Sequence, residues 1–131
     1  MTIAMSLEVE LGVTLDKISL LLSEFGAEAC LDSDGVSGNF EASNTYFVFR
    51  GCGAVNEVVA EGVDASWVVG IRGTFHCSVG SLAESAYEIK QFLIFLSEKE
   101  VCRFVLSFQY ESVYVMRDRD GLHFLREMVD Q

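Results

Sequence analysis

Apolar and polar residues alternate at the start of the chain: Ile3, Met5, Leu7, Val9 and Leu11 fall on one side, and Ala4, Ser6, Glu8 and Glu10 on the other. A period of two sends successive side chains to opposite faces, which predicts a half-buried strand with one wet, acidic face. The period then changes. Leu15, Ile18, Leu22 and Phe25 form a helical stripe, with Thr14 placed to cap it, Asp16 in the first turn and Gly26 as a stop. A longer stripe follows at Leu82, Ala86, Ile89, Leu93 and Leu96, widened by Phe92 and Phe95. Ser81-Leu82-Ala83-Glu84 reads as a capping box at its start. After Lys99-Glu100 the period returns to two. Cys102, Phe104, Leu106 and Phe108 alternate with Arg103, Ser107 and Gln109, and a turn near Tyr110-Glu111-Ser112 brings Val113–Met116 back alongside.

The middle of the chain is read from its turns. Asp32-Ser33-Asp34-Gly35 has the composition of an Asx turn. Two paired strands, 36–41 and 45–50, flank Ala42-Ser43-Asn44. Tyr46 and Val48 share one face of the second strand and Phe47 and Phe49 the other, which predicts a central strand covered on both faces. Gly51-Cys52-Gly53 reads as a flexible turn, and Val55–Val63 as a short helix or an irregular strand. If that segment is helical, Glu57 and Glu61 lie on one side. Trp67, Val69, Ile71 and Phe75 define another long strand, in which Gly70 and Gly73 mark a bulge or a close backbone approach. Asp118-Arg119-Asp120-Gly121 is a second turn, and Leu122, Leu125 and Val129 suggest a short closing helix. The expected fold is α+β: a mainly antiparallel twisted sheet with helices near 14–25 and 81–99 and a short C-terminal helix. Residues 1–131 are expected to form a single domain of two loosely similar halves, 1–64 and 65–131, each with a strand, a helix and paired strands.

Charge changes the picture from architecture to partners. The chain of 131 residues carries a net charge of −11. Residues 1–64 hold eleven acids against Lys17 and Arg50, and residues 65–131 nine acids against seven bases. An acidic front half opposes a phosphate backbone, so direct nucleic-acid binding is not expected. A basic protein is the better electrostatic match, although net charge also serves plain solubility. No uncharged apolar run approaches the roughly 18 residues of a membrane span, and Met1–Gly12 lacks the pattern of a signal peptide, so a cytoplasmic location is expected. Cys30, Cys52, Cys77 and Cys102 are scattered without metal or redox spacing, and are read as reduced, buried, small hydrophobes.

Little in the sequence points to catalysis. It holds no phosphate-binding glycine loop, dinucleotide fingerprint, H-E-x-x-H or G-x-S-x-G. The turn at Asp32 opens like a calcium loop, but Val36 stands where an oxygen ligand belongs and no Glu closes it. No cofactor or metal is expected. Arg72 and His76, four apart on one strand face, are the nearest approach to a chemical pair; with Cys52 they supply an alternative reading as a small enzyme or ligand-binding domain. A structural oligomeric subunit is a further alternative. In size, acidity and strand–helix–strand order the chain resembles the small acidic α/β immunity proteins of bacterial toxin systems, including contact-dependent inhibition. The resemblance implies an inhibitor that binds and blocks a basic, nuclease-type toxin. The charge distribution independently nominates Asp32, Asp34, Glu57, Glu61 and Asp64, clustered in the acidic half on loops, as partner contacts.

Overall fold

A computed structural model describes residues 2–60, 62–63 and 66–126. Its strands are β1 (Thr2–Glu10), β2 (Glu28–Asp32), β3 (Gly35–Asn39), β4 (Tyr46–Glu57), β5 (Val68–Ser78), β6 (Phe104–Phe108), β7 (Ser112–Asp118) and β8 (Gly121–Phe124). The helices are α1 (Leu15–Phe25) and α2 (Leu82–Lys99), with one turn of 3-10 helix, Val79–Ser81, leading into α2. All eight strands join one antiparallel sheet in the order β2-β3-β4-β5-β1-β6-β7-β8, so the fold is α+β.

Local chemistry accounts for the helix ends. Thr14 accepts the Lys17 amide at 3.1 Å, satisfying a free donor of the first turn. Gly26 takes a left-handed φ of 105°, and Ala27 and Gly26 donate back to the carbonyls of Leu22 and Ser23, a Schellman end that turns the chain into β2. The capping box expected at Ser81 does not form. Ser81 continues the 3-10 turn, and its side chain makes no capping bond.

Both helices pack on one face of the sheet. Ile18, Leu21 and Leu22 of α1 and Ile89, Phe92, Leu93 and Leu96 of α2 meet Met5, Leu7, Val9, Phe47, Phe49, Ile71, Phe75, Phe104 and Leu106. Gly73 belongs to this packing: it pairs with Phe49, whose ring occupies the space a Cβ would fill. On the opposite face a smaller cluster of Ala60, Trp67, Val69 and Val105 is flanked by Cys52, Val58, Val63, Val113 and Met116. Val58, Ala60, Val63 and Trp67, between β4 and β5, therefore lie against the helix-free face.

Two expectations about the helix-free face are corrected. The polar side of β1 is not wet: Ser6 and Glu8 are buried, Glu8 with 0% of its surface exposed. β4 is internal to the sheet but not covered on both sides, since Tyr46 stays 44% exposed. The Gly51-Cys52-Gly53 stretch is not a turn between elements. β4 runs through it to Glu57, with a register shift between Gly51 and Asn56, which is the irregular strand and not the helix.

The C-terminal helix is likewise replaced over its first residues. Asp118 Oδ1 accepts the amides of Asp120 (2.8 Å) and Gly121 (3.2 Å), and this turn closes a hairpin in which β8 pairs with β7 from Asp118↔Gly121 to Val115↔Phe124. Val129 of the expected stripe lies outside the described residues.

Candidate partner-binding site

The end of α1, the loop between β3 and β4 and the first turns of α2 enclose an apolar groove of about 410 Å³. Its floor begins with Phe25, set at the end of α1 by the Gly26 stop and packed edge-on against Phe40 and Phe92. Ala42 forms one wall, and Ala83, Glu84, Tyr87, Glu88 and Gln91 of α2 the other. Tyr87 is 67% exposed, a large amphipathic ring standing at the rim.

Glu88 fixes the loop wall. Its Oε1 accepts the Ser43 amide at 2.8 Å and the Ser43 hydroxyl at 2.6 Å, and its Oε2 accepts the Ala42 amide at 3.2 Å. Ser43 also bonds the Thr45 hydroxyl at 2.6 Å, and the Phe40 amide bonds the Thr45 carbonyl at 3.0 Å. Asn44 takes the left-handed φ of 57° that the tight loop needs. The far side of this loop lines a second, polar hollow of about 310 Å³ with Glu28, Asn39, Phe40, Glu41 and Asn44. Four carboxylates, Glu28, Glu41, Glu84 and Glu88, thus line the two hollows on either side of one loop, and no Lys or Arg lines either. Such a rim favours a cationic partner, while the apolar floor offers area to be buried.

The residues nominated from sequence lie elsewhere. Asp32 and Asp34 are exposed in the β2–β3 turn, where Asp32 Oδ1 accepts the amides of Asp34 (2.8 Å) and Gly35 (3.2 Å), an Asx turn as expected. Glu57 is exposed at the end of β4, paired with Val68. The turn abuts Phe49 and Arg50, seven residues short of Glu57 on the same strand, so these carboxylates do not share one patch. Glu61 and Asp64 lie outside the described residues. The groove residues Glu84, Tyr87, Glu88 and Gln91 do carry a sequence signal: spacings of three, one and three place them on one helical stripe, away from the apolar one.

Arg72 and Cys52 come into contact, while His76 sits against Tyr46. Arg72 reaches Glu8 (Nη2 to Oε2, 3.4 Å) and the Glu57 carbonyl (3.0 Å) and lies 3.8 Å from the Cys52 sulfur. His76 stacks on Tyr46 at 5.7 Å. None of the three lines the two hollows above or a third of about 250 Å³ between Trp67 and Arg119. Burial pushes the Cys77 thiol up and the Cys102 thiol up to about 11, whereas Cys30 is exposed on β2, against the expectation that all four are buried. Among the described residues no cluster of His, Cys, Asp and Glu could hold a metal ion, and no helix is long and apolar enough to cross a membrane. No family model, curated protein or solved structure matches the chain.

Proposed function

We propose that this is an interaction protein that docks a basic partner on the groove between α1, α2 and the β3–β4 loop. More particularly, the reading is an immunity-type inhibitor that neutralises a nuclease-type toxin by covering its cationic surface. The supporting observation is the juxtaposition of an apolar floor and an exposed Tyr87 with four lining carboxylates and no lining cation. Aromatic anchors inside a charged rim are the usual source of interface energy and on-rate. The exposed charges of Asp32, Asp34 and Glu57 add to the long-range field without touching the groove.

The test is capture from the native host with wild-type protein and with a Tyr87→Ala/Glu84→Lys variant. The reading predicts a basic partner held by the wild type and weakened at least about tenfold by the variant, as expected for loss of a hot-spot aromatic. Equal capture by both, or a partner with no basic surface, contradicts it.

A further inference from the structure

β2 is the outermost strand of the sheet, so one flank of its backbone has no described strand beside it. Its register to β3 runs without a shift from Glu28↔Asn39 to Asp32↔Gly35. The two-residue turn makes Asp32 and Gly35 a mutually bonded pair, so by alternation Glu28 and Cys30 also bond to β3. Ala29 and Leu31 then aim their amides and carbonyls outward. Edge strands are ordinarily blunted by shortness, by charges, above all Lys, by Pro or by a bulge, and a strand whose charges are all acidic turns away acidic strands but not basic ones. β2 contains no Lys, the chain contains no Pro, and the ladder is regular. Its only charges are Glu28 and Asp32, four apart on one face. On the other face Ala29 packs against the core and Leu31 stays 40% exposed.

These residues select the occupant. A second copy pairing antiparallel about Cys30 would set Glu28 against Asp32 twice across the seam, and like charges directly opposite are destabilising. A strand with Lys or Arg at two positions four apart would set a cation beside each carboxylate. Apolar residues at its intervening alternate positions would cover Ala29 and Leu31. We propose that β2 receives such a basic extended segment of the partner as an added strand. The inference rests on the reading that the partner is basic; it shares Glu28 with the polar hollow beside the groove, but uses neither Tyr87 nor any residue lining the groove itself.

The test titrates the full chain with the synthetic peptide Thr-Lys-Val-Thr-Val-Lys-Thr and follows backbone amides by NMR. Shifts centred on Ala29 and Leu31 are expected. Methylating the two Val amides of the peptide removes the pairing donors and is expected to weaken binding about tenfold, the loss of roughly one net hydrogen bond or more. Glu28→Gln/Asp32→Asn keeps the Asx turn and is expected to weaken binding about fivefold, from two cross-strand charge pairs. Tyr87→Ala should change it less than about twofold, the site being separate. Absence of shifts on β2, or equal binding of the methylated peptide, overturns the inference. So does concentration-dependent dimerisation through Cys30, which would assign the edge to a second copy. A basic partner lost on Tyr87→Ala but indifferent to the β2 variants would sink strand addition and leave the groove reading standing.

Discussion

Glu8 lies on β1, one of the two central strands, on the helix-free face of the sheet, with no exposure to solvent. The charge is held by the Val59 amide at 2.8 Å, the Ala60 amide at 3.0 Å and Arg72 at 3.4 Å. A buried carboxylate satisfied by two amides and a guanidinium is costly to disturb, because a Gln side chain would turn an NH₂ toward a donor. Glu8→Gln is expected to lose about 3 kcal/mol of stability in urea unfolding; a loss under about 0.5 kcal/mol, the range of an ordinary surface substitution, would show the segment after β4 is not anchored there. Glu10 behaves differently. Its hydrogen bonds with Arg103, 2.6 Å at the shortest, hold its carboxyl below the usual value of 4.5. The folded state thus favours the ionised form, so the pair's contribution is present above about pH 4.5, the unfolded value, and disappears as pH falls through the lower folded one. Comparing Glu10→Gln with wild type by denaturation at pH 7 and at strongly acid pH should show a penalty that shrinks on acidification; a constant penalty would refute the ion pair as its source. Alternation alone placed Glu8 and Glu10 on the same face correctly. It could not show that only Glu8 is covered, because the cover comes from residues some fifty positions away.

Helices and hairpins reveal which local signals were sufficient. Thr14 and Ser81 look alike in sequence, yet only Thr14 caps. The 3-10 turn before α2 takes Ser81 out of capping geometry, and nothing in the Ser-x-x-Glu spacing announces that turn. Thr14→Ala is expected to cost about 1 kcal/mol and Ser81→Ala only a few tenths, measured by thermal unfolding; equal costs would contradict the assignment. The strand and helix periods were legible because each element has one buried face. Residues 121–125 depart from the helical expectation because Leu122 and Leu125 fit a helical spacing, whereas the Asp-x-Asp-Gly turn before them closes a hairpin. The same turn chemistry, Asp32 and Asp118 each accepting two amides, builds both edge hairpins of the sheet. On α2 the sequence shows an apolar stripe and, at Glu84, a capping carboxylate; Tyr87 and Glu88 become groove residues only because the β3–β4 loop, some forty-five positions away, packs beside them.

Over the whole molecule, each half is a strand, a helix and a three-stranded meander: β1-α1-β2-β3-β4 and β5-α2-β6-β7-β8. Their strands interleave at the centre, where β4, β5, β1 and β6 come alternately from the first and second halves. We infer one cooperative unit, so a fragment of residues 1–64 should be unfolded by circular dichroism; a folded fragment would mean the halves are separable. Interleaving also joins the acidic front of the chain to α2 of the second half, which is how Glu28 and Glu41 come to flank the β3–β4 loop together with Glu84 and Glu88. Sequence supplied the sign of the surface, but the patch is assembled by the crossover.

The most direct test of that patch is the ionic-strength dependence of association between the protein and its captured partner, measured by stopped flow. The wild type should associate faster as salt is lowered, and Glu41→Lys/Glu84→Lys should flatten that dependence and slow association about tenfold at low salt. Rates that are insensitive to salt, or unchanged by reversing those two charges, would contradict docking on the groove.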